Sequence, residues 1–474
     1  MPVSPRLAVA FAVAVFAAMA LAGCDPSASL DAADGPAVST EWYATVPGTA
    51  GSDYAQGVAE LPGGDVVVVG YTYGGASVVG PVGAPVSLGS DPNTSGNAGY
   101  VARLSPAGAV RWATPLATGG FGTAFDVAAV PGGVVVLGEF AGTVRIGQTT
   151  VTSSGGQSAF VARLSDAGAV TWVRTVDSPN VTDATEFASD AAGNVTMGGS
   201  FRTSVTAGGT TRTAAGSVDA WMARIAPDGT VAWLTAFGGT AADGVNAVAV
   251  GPGGEAYVAG NFAGTAAVGP ETFTSAGGRD GFALRVESDG RVAWARHLAG
   301  AGSNDYFVGA GASAGGVAFA GLVSGAATFG GQSAPGAGMV AAGITPEGSV
   351  RWLTAFGGTG ACSAGMDAAG GLVVGGTYTG AGAFGGRVGG RYGGGETDGY
   401  IARFTPAGAL DWVRTQNGVD DDGVCGVAAG AEHAYASGWY GFSATLDGAA
   451  WPVESLLDDD GFVARFRLAP APAL

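Results

Sequence analysis

The sequence predicts an all-β fold, a seven-bladed β-propeller with four-stranded blades, and three observations predict it. A tryptophan recurs at intervals near 60 residues. A strand–turn–strand motif with a fixed glycine precedes most copies. After the N-terminal apolar run, no stretch of helical length repeats its apolar residues at a 3.6-residue period. Composition agrees. Of 474 residues 88 are glycine, yet 47% are hydrophobic. There is no G-x-y period to suggest collagen, and aliphatic residues are too frequent for a disordered chain. Glycine-rich sequence that still forms a core means many short strands joined by tight turns.

Taken in chain order, residues 1–23 read as an export signal: Arg6 is followed by an apolar run from Leu7 to Leu21. That run is short for a membrane span. It ends Leu21-Ala22-Gly23-Cys24, and small residues before a cysteine at this place resemble the lipobox of bacterial lipoproteins. The resemblance implies a diacylglycerol thioether on Cys24, cleavage before it, and a further acyl chain such as palmitate on the new N-terminus. Two or three chains anchor firmly where one binds marginally. The alternative is an ordinary secretory signal that contains a cysteine. Asp25 resembles the inner-membrane retention signal of enteric bacteria. Residues 24–40 are small, polar and proline-containing, a flexible tether. The propeller is expected over 41–468, with a tail at 469–474.

The repeat is marked by Trp42, Trp112, Trp172, Trp233, Trp294, Trp352 and Trp412, spaced 70, 60, 61, 61, 58 and 60 residues apart. Before six of them stands a motif such as GYVARLSPAGAVRW (99–112). Its turn glycine lies four residues before the tryptophan each time: Gly108, Gly168, Gly229, Gly290, Gly348 and Gly408. An arginine recurs in the first half as Arg103, Arg163, Arg224, Arg285, Arg403 and Arg465, with Gly343 in the fifth copy. Both halves have strand chemistry, and the P-A-G or P-D-G turn makes a hairpin. Two more strands fill each period, Phe125–Val130 and Val134–Phe140 in the second copy, Val245–Val250 and Ala256–Phe262 in the fourth. Such a unit cannot hide both faces of its sheet, so neighbours must stack and the tryptophan fills the space between them.

Strand order predicts closure. With strands named a to d from the axis outward, Glu41–Val46 carries a tryptophan but has no preceding hairpin partner. The last copy supplies only strands a, b and c (423–429, 433–439, 461–467). The N-terminal strand is therefore expected to complete the last blade as its strand d, hiding two sheet edges.

These motifs resemble the SBBP-type propeller repeats of bacterial surface and secreted proteins. Asp460–Phe466 (DGFVARF), Trp233–Gly239 (WLTAFGG) and Ala256–Gly260 (AYVAG) match that pattern, with arginine where lysine is common. The resemblance covers about residues 40–470. It implies a propeller and an extracytoplasmic location, on the periplasmic or cell-surface side of a bacterial membrane. It implies no catalytic residues.

Strand direction puts the d–a and b–c connections on one face, where the long segments Ser77–Asn97 and Ala381–Thr397 fall. An aspartate recurs in the d–a loop as Asp53, Asp183, Asp243, Asp305 and Asp422, read as one register, with Gly122 and Gly360 in copies two and six. A second set, Asp219, Asp280, Asp398 and Asp460, opens strand c. One reading is a carboxylate ring that holds Ca²⁺ or a cationic ligand. The other is that each aspartate caps its own turn. The acidic runs Asp420–Asp422 and Asp458–Asp460 lack calcium-loop spacing. Cys362 and Cys425 fall on the innermost strands of blades six and seven. Aligned by repeat, Cys362 matches Ala55 and Cys425 the next position, Gln56, so they face opposite ways, and across neighbouring blades a disulfide is possible. The other reading is two buried small apolar residues.

No cofactor is called for unless the aspartates hold Ca²⁺. His297 and His433 sit on different blades, and there is no HExxH, zinc spacing or G-x-S-x-G. The run Gly385–Gly395 has no helix after it to cradle a phosphate. A net charge of −18 argues against nucleic acid and anionic headgroups as ligands. The expected function is a monomeric, lipid-anchored binding or structural module of the cell envelope with a glycan or protein partner, not an enzyme. The alternative is a lyase or hydrolase acting on a surface polysaccharide at the channel mouth.

Overall fold

The computed structural model describes residues 39–48, 51–89, 97–180, 182–379, 383–384, 387–388, 397–418, 421–441, 444–446, 449–450 and 459–468. The signal, Cys24, the tether and the tail lie outside them. No helix among the described residues is long and apolar enough to cross a membrane.

The described strands pair into seven antiparallel units of four. Blade 1 runs Tyr54–Glu60, Val66–Thr72, Ala98–Leu104 and Val110–Thr118, each strand bonded to the next. Five more follow the same a-b-c-d order, with strands a at Phe121–Val130, Thr182–Ser189, Gly244–Val250, Tyr306–Ser313 and Gly360–Met366. Blade 7 consists of Gly423–Ala429, His433–Tyr440 and Asp460–Arg467, and Ser39–Val46 is its outermost strand. Trp42 stands opposite Arg465 in that last ladder. Each strand a lies against the strand a of the next blade, and that of blade 7 lies against that of blade 1. The fold is thus a closed β-propeller, as the repeat predicts.

The apolar core lies between blades rather than within them. One cluster joins Leu137 and Val161 of blade 2 to Phe187 and Trp221 of blade 3. Another joins Tyr435 and Val463 of blade 7 to Val58 and Tyr100 of blade 1. The tryptophan period has a specific cause. Each indole Nε1–H donates to a carbonyl in the c–d turn of the next blade: Trp42 to Pro106, Trp112 to Asp166, Trp172 to Pro227, Trp233 to Ser288, Trp294 to Pro346 and Trp352 to Pro406, all at 2.9–3.2 Å. The fixed glycine sits under that ring. Its φ lies between +81° and +90° at all six positions. A Cβ on Gly229 would come within 3.1 Å of the Trp172 ring, and on Gly408 within 2.4 Å of Trp352. Backbone conformation and lack of space both demand glycine there. The chain ends replace the c–d turn in blade 7.

The c-strand arginines lie opposite these tryptophans in the ladder, and several reach the a–b turns. Arg103 meets Asp65 at 2.7 Å, Arg403 meets Asp367 at 2.6 Å, and Arg224 bonds Asp190. They brace the face opposite the long connections.

The b–c connections differ from the expected loops. In blades 2 and 4 the strands b and c run on into a projecting hairpin, Gly133–Ile146 with Thr149–Ser165 and Ala256–Val268 with Glu271–Val286. In blade 1 the region 77–97 begins as a hairpin, Ala76–Val78 with Val86–Gly89. These hairpins, and shorter ones in blade 5 (Ala327–Phe329 with Gln332–Ala334) and blade 7 (Ala444–Leu446 with Ala449–Ala450), pair with the outer strand of the preceding blade: Thr45 with Val79, Ala117 with Ile146, Gly238 with Ala267, Leu298 with Phe329, Gln416 with Leu446. They are clamps between blades. Most of 381–397 lies outside the described residues.

Replacing Gly408 by alanine should cost about 2 kcal/mol or more, through positive φ and overlap with Trp352. Glycine 336, which has no atom within 4 Å of a built Cβ, should tolerate alanine within about 0.5 kcal/mol. Urea unfolding of both variants checks this.

Candidate functional site: the axial cavity

The inner wall of the ring is shaped by one irregularity repeated in every blade. Each strand a carries a bulge against strand b: between Ala55 and Gly57, Ala124 and Asp126, Ala184 and Glu186, Val245 and Ala247, Phe307 and Gly309, Ala361 and Ser363, and Val424 and Gly426. The residue before each bulge pairs with a b-strand glycine whose missing side chain admits a backbone carbonyl. A Cβ on Gly70 would lie 1.8 Å from the Tyr54 carbonyl oxygen, and on Gly199 1.8 Å from that of Asp183. A buried aromatic on strand c stands opposite this glycine in most blades, such as Tyr100 beside Gly70 and Trp221 beside Gly199. Tyr100 Oη–H and Trp221 Nε1–H donate to those same carbonyls. A bulge re-aims the extra residue, here toward the axis. The extra residues are Gln56, Phe125, Thr185, Asn246, Val308, Cys362 and Cys425.

A cavity of about 370 Å³ is lined by six of these seven, and Asn246 joins Val308 and Cys362 in the wall of an adjoining 590 Å³ space. The bulge residues also reach across seams. Thr185 Oγ1–H donates to the Val245 carbonyl at 2.5 Å and Asn246 Nδ2–H to that of Phe307 at 3.2 Å. Both acceptors belong to the next blade.

The two cysteines occupy the same register, because the bulge falls at both. This corrects the alignment of Cys362 with Ala55: both match Gln56, and both line the cavity. The thiols are free and in hydrogen-bonding reach of each other. Their mutual hydrogen bond holds Cys362 below the usual thiol range, while the same bond and burial push Cys425 up.

The d–a aspartates are placed less uniformly than expected. Asp53, Asp243, Asp305 and Asp422 share one place, just before strand a. In each, one oxygen accepts a backbone N–H from strand b or just after it: Tyr73 at 2.9 Å, Ala263 within the long strand of blade 4 at 3.2 Å, Ser324 at 2.8 Å and Gly441 at 3.1 Å. Their own N–H groups bond the preceding blade, at Asp459, Val218, Arg279 and Thr397. These residues cap their loops and tie seams together. Asp183 does not belong to this register. It lies one residue further in, opposite Ser200, and is exposed at the cavity. Gly360 is likewise one residue off, opposite Thr377, whereas Gly122 keeps the register and its seam bond to Asn97. Of the c-opening set, Asp219 accepts from Ala215 N–H at 2.6 Å and Asp280 from Ala276 N–H at 2.9 Å. Among the described residues, no three carboxylate, histidine or cysteine side chains are grouped to hold a metal ion.

Sequence reasoning missed three carboxylates that the cavity does contain. Asp126, Glu139 and Glu186 meet Asp183 in its wall at the seam of blades 2 and 3. Burial pushes Asp126 and Glu139 up to about 7, and burial followed by the nearby Asp126 charge raises Glu186. Glu139 Oε1 accepts the Ala184 N–H at 3.1 Å, and its other oxygen accepts the Gln157 amide. No repeat signal marked these residues, because each occurs in one blade only.

Around the rim the halves differ. At blades 3 and 4 the wall is polar: Ser200, Asn246, Asn261 and Arg279 line a 320 Å³ cavity. At blades 7 and 1, half-buried Tyr54 packs on Tyr71 at 5.0 Å and on Trp439 at 5.9 Å, with exposed Tyr73 beyond. Neither histidine lines these cavities. His297 pairs with Asp280 at 2.7 Å, and His433 with Arg465 and Glu41.

No protein-family model matches this chain, and no curated protein matches it. Among solved structures it is similar to virginiamycin B lyase from Staphylococcus aureus, at 10% identity over 91% of this chain and 99% of that one, TM-score 0.43. It is also similar to the Dos1 propeller, at 8% identity over 93% and 96%, TM-score 0.40. These likenesses concern the fold.

The raised carboxyls make stability fall with pH. The folded chain holds their protons more tightly than the unfolded chain does. Their cost is therefore absent below the ordinary carboxylate range, grows as pH rises toward 7, and is constant above. Glu139→Gln should stabilise the protein at pH 8 by about 1 kcal/mol or more, since one pKa unit corresponds to about 1.4 kcal/mol. Near pH 4 it should be neutral. Gln157 can turn its amide to keep the bond. Thermal unfolding across pH 4–8 measures the difference.

Proposed function

We propose that the chain is a binding module of the cell envelope, lipid-anchored through Cys24 on the outer side of a bacterial membrane, whose axial cavity takes a neutral glycan. The observation that carries the glycan reading is the two-sided rim. Tyr54, Tyr71 and Trp439 form an aromatic cluster on blades 7 and 1. Thr185, Ser200, Asn246, Asn261 and Arg279 offer donors and acceptors on blades 3 and 4. A sugar ring presents apolar C–H faces and a polar rim of hydroxyls, so it fits a site with aromatic surface and a few oriented polar groups. The carboxylates at the seam of blades 2 and 3 disfavour anionic ligands.

The anchor rests on the Leu21–Cys24 motif and the tether on residues 25–40. Most of these side chains sit on strands a and b, and groups held by paired strands lose less entropy on binding than groups on free loops.

Calorimetric titration of the full-length chain with a panel of neutral hexasaccharides tests this reading. At least one should bind, and Trp439→Ala should weaken it about tenfold or more, or 1.4 kcal/mol. If no member binds at millimolar concentration, or Trp439→Ala binds as well as the parent, the glycan site is wrong. Release of shorter products that stops on Glu139→Gln would instead favour a polysaccharide-acting enzyme.

A further inference from the structure

We propose that Cys362 and Cys425 form a reversible disulfide that clasps blade 6 to blade 7 in the wall of the axial cavity. Three independent observations lead there. Both residues stand at the bulge of their strand a, on neighbouring blades. The seam is narrow there: a Cβ on Gly375, which pairs with Ser363 next to Cys362, would lie 2.5 Å from Val424 Cγ1, next to Cys425. The equivalent residues Thr185 and Asn246 already reach across their own seams to the next blade. At blades 6 and 7 the two thiols take the place of that hydrogen bond, and they face each other. Cys362 is exposed to the cavity and so to a soluble oxidant.

The chemistry needs a disulfide oxidant, for which oxidised glutathione serves. The Cys362 thiolate attacks one glutathione sulfur, forming a mixed disulfide and releasing one glutathione thiolate. The Cys425 thiolate then attacks the Cys362 sulfur and releases the second. The protons of the two cysteines end on the two glutathiones, and the protein loses two hydrogens. The asymmetry of the pair suits this order, because the better-ionised thiol attacks first.

The experiment uses the folded full-length chain with Cys24→Ser, which leaves these two thiols alone. It is incubated with oxidised glutathione, quenched in acid, digested and mapped by mass. The expected product is one peptide pair joined through Cys362 and Cys425, two hydrogens lighter than the separate peptides, with two glutathiones released per chain. The thermal midpoint should rise by several degrees and fall back on reduction. Cys362→Ser should give a Cys425–glutathione adduct or a free thiol and no rise. If the folded parent instead carries glutathione on each cysteine, or keeps both thiols free, the clasp does not form. The parent's own peptide map decides this even if the serine variant fails to fold.

Discussion

The structure depends on one contact, the indole of each outer-strand tryptophan laid on the next blade's c–d turn. The ring covers a glycine in the left-handed conformation while its N–H satisfies a turn carbonyl. A single such bond is worth about 1 kcal/mol net, but it recurs at six seams and is reinforced. Arg174 and Arg296 lie over their neighbouring tryptophans at 5.8 and 5.6 Å and donate to the carbonyls of the same turns. Thr354 does the same toward Gly408. On the opposite face, backbone bonds at the start of strand a and the projecting b–c hairpins both reinforce the seams of blades 1 and 2, 3 and 4, 4 and 5, and 6 and 7. No blade can hide its own apolar faces, so these seams decide whether the chain folds at all.

Seams fixed in this way explain why the axial site can be varied without disturbing the fold. The b-strand glycines and the aromatics that cover them hold the bulges. Each bulge then presents one residue to the cavity, and that residue makes few demands on the frame. It is glutamine, phenylalanine, threonine, asparagine, valine and twice cysteine. The scaffold repeats at six of the seven places where blades meet, whereas the axis carries one-off chemistry: carboxylates at blades 2 and 3, amides at 4, thiols at 6 and 7, aromatics at 7 and 1.

That division also sets what could be read from the sequence. The tryptophan period and the glycine four residues before it were legible, because the same contact imposes both in nearly every blade. Closure by Ser39–Val46 was legible because a lone strand with a tryptophan has only one place to go. The axial residues were not. The d–a loops differ in length and the strands a share few residues, so nothing in the sequence marked their register. Asp183 was grouped with Asp53 and the two cysteines were set out of phase, although the bulge falls at the same place in every blade. Glu139 and Glu186 had no counterpart in other copies, and their burial depends on a cavity that exists only once the ring is closed. The b–c segments looked like free loops because their partners lie on the preceding blade, far away in sequence.

Closure of the ring by the chain's first described strand is the most direct point to test. Amide hydrogen exchange of the folded full-length protein, resolved by peptide, reads it. A ring sealed by Trp42 and its strand gives Ser39–Val46 protection within about tenfold of that of Asp460–Arg467, its ladder partner. If Ser39–Val46 exchanges as fast as an unstructured peptide while Asp460–Arg467 stays protected, the last blade is open and the account fails.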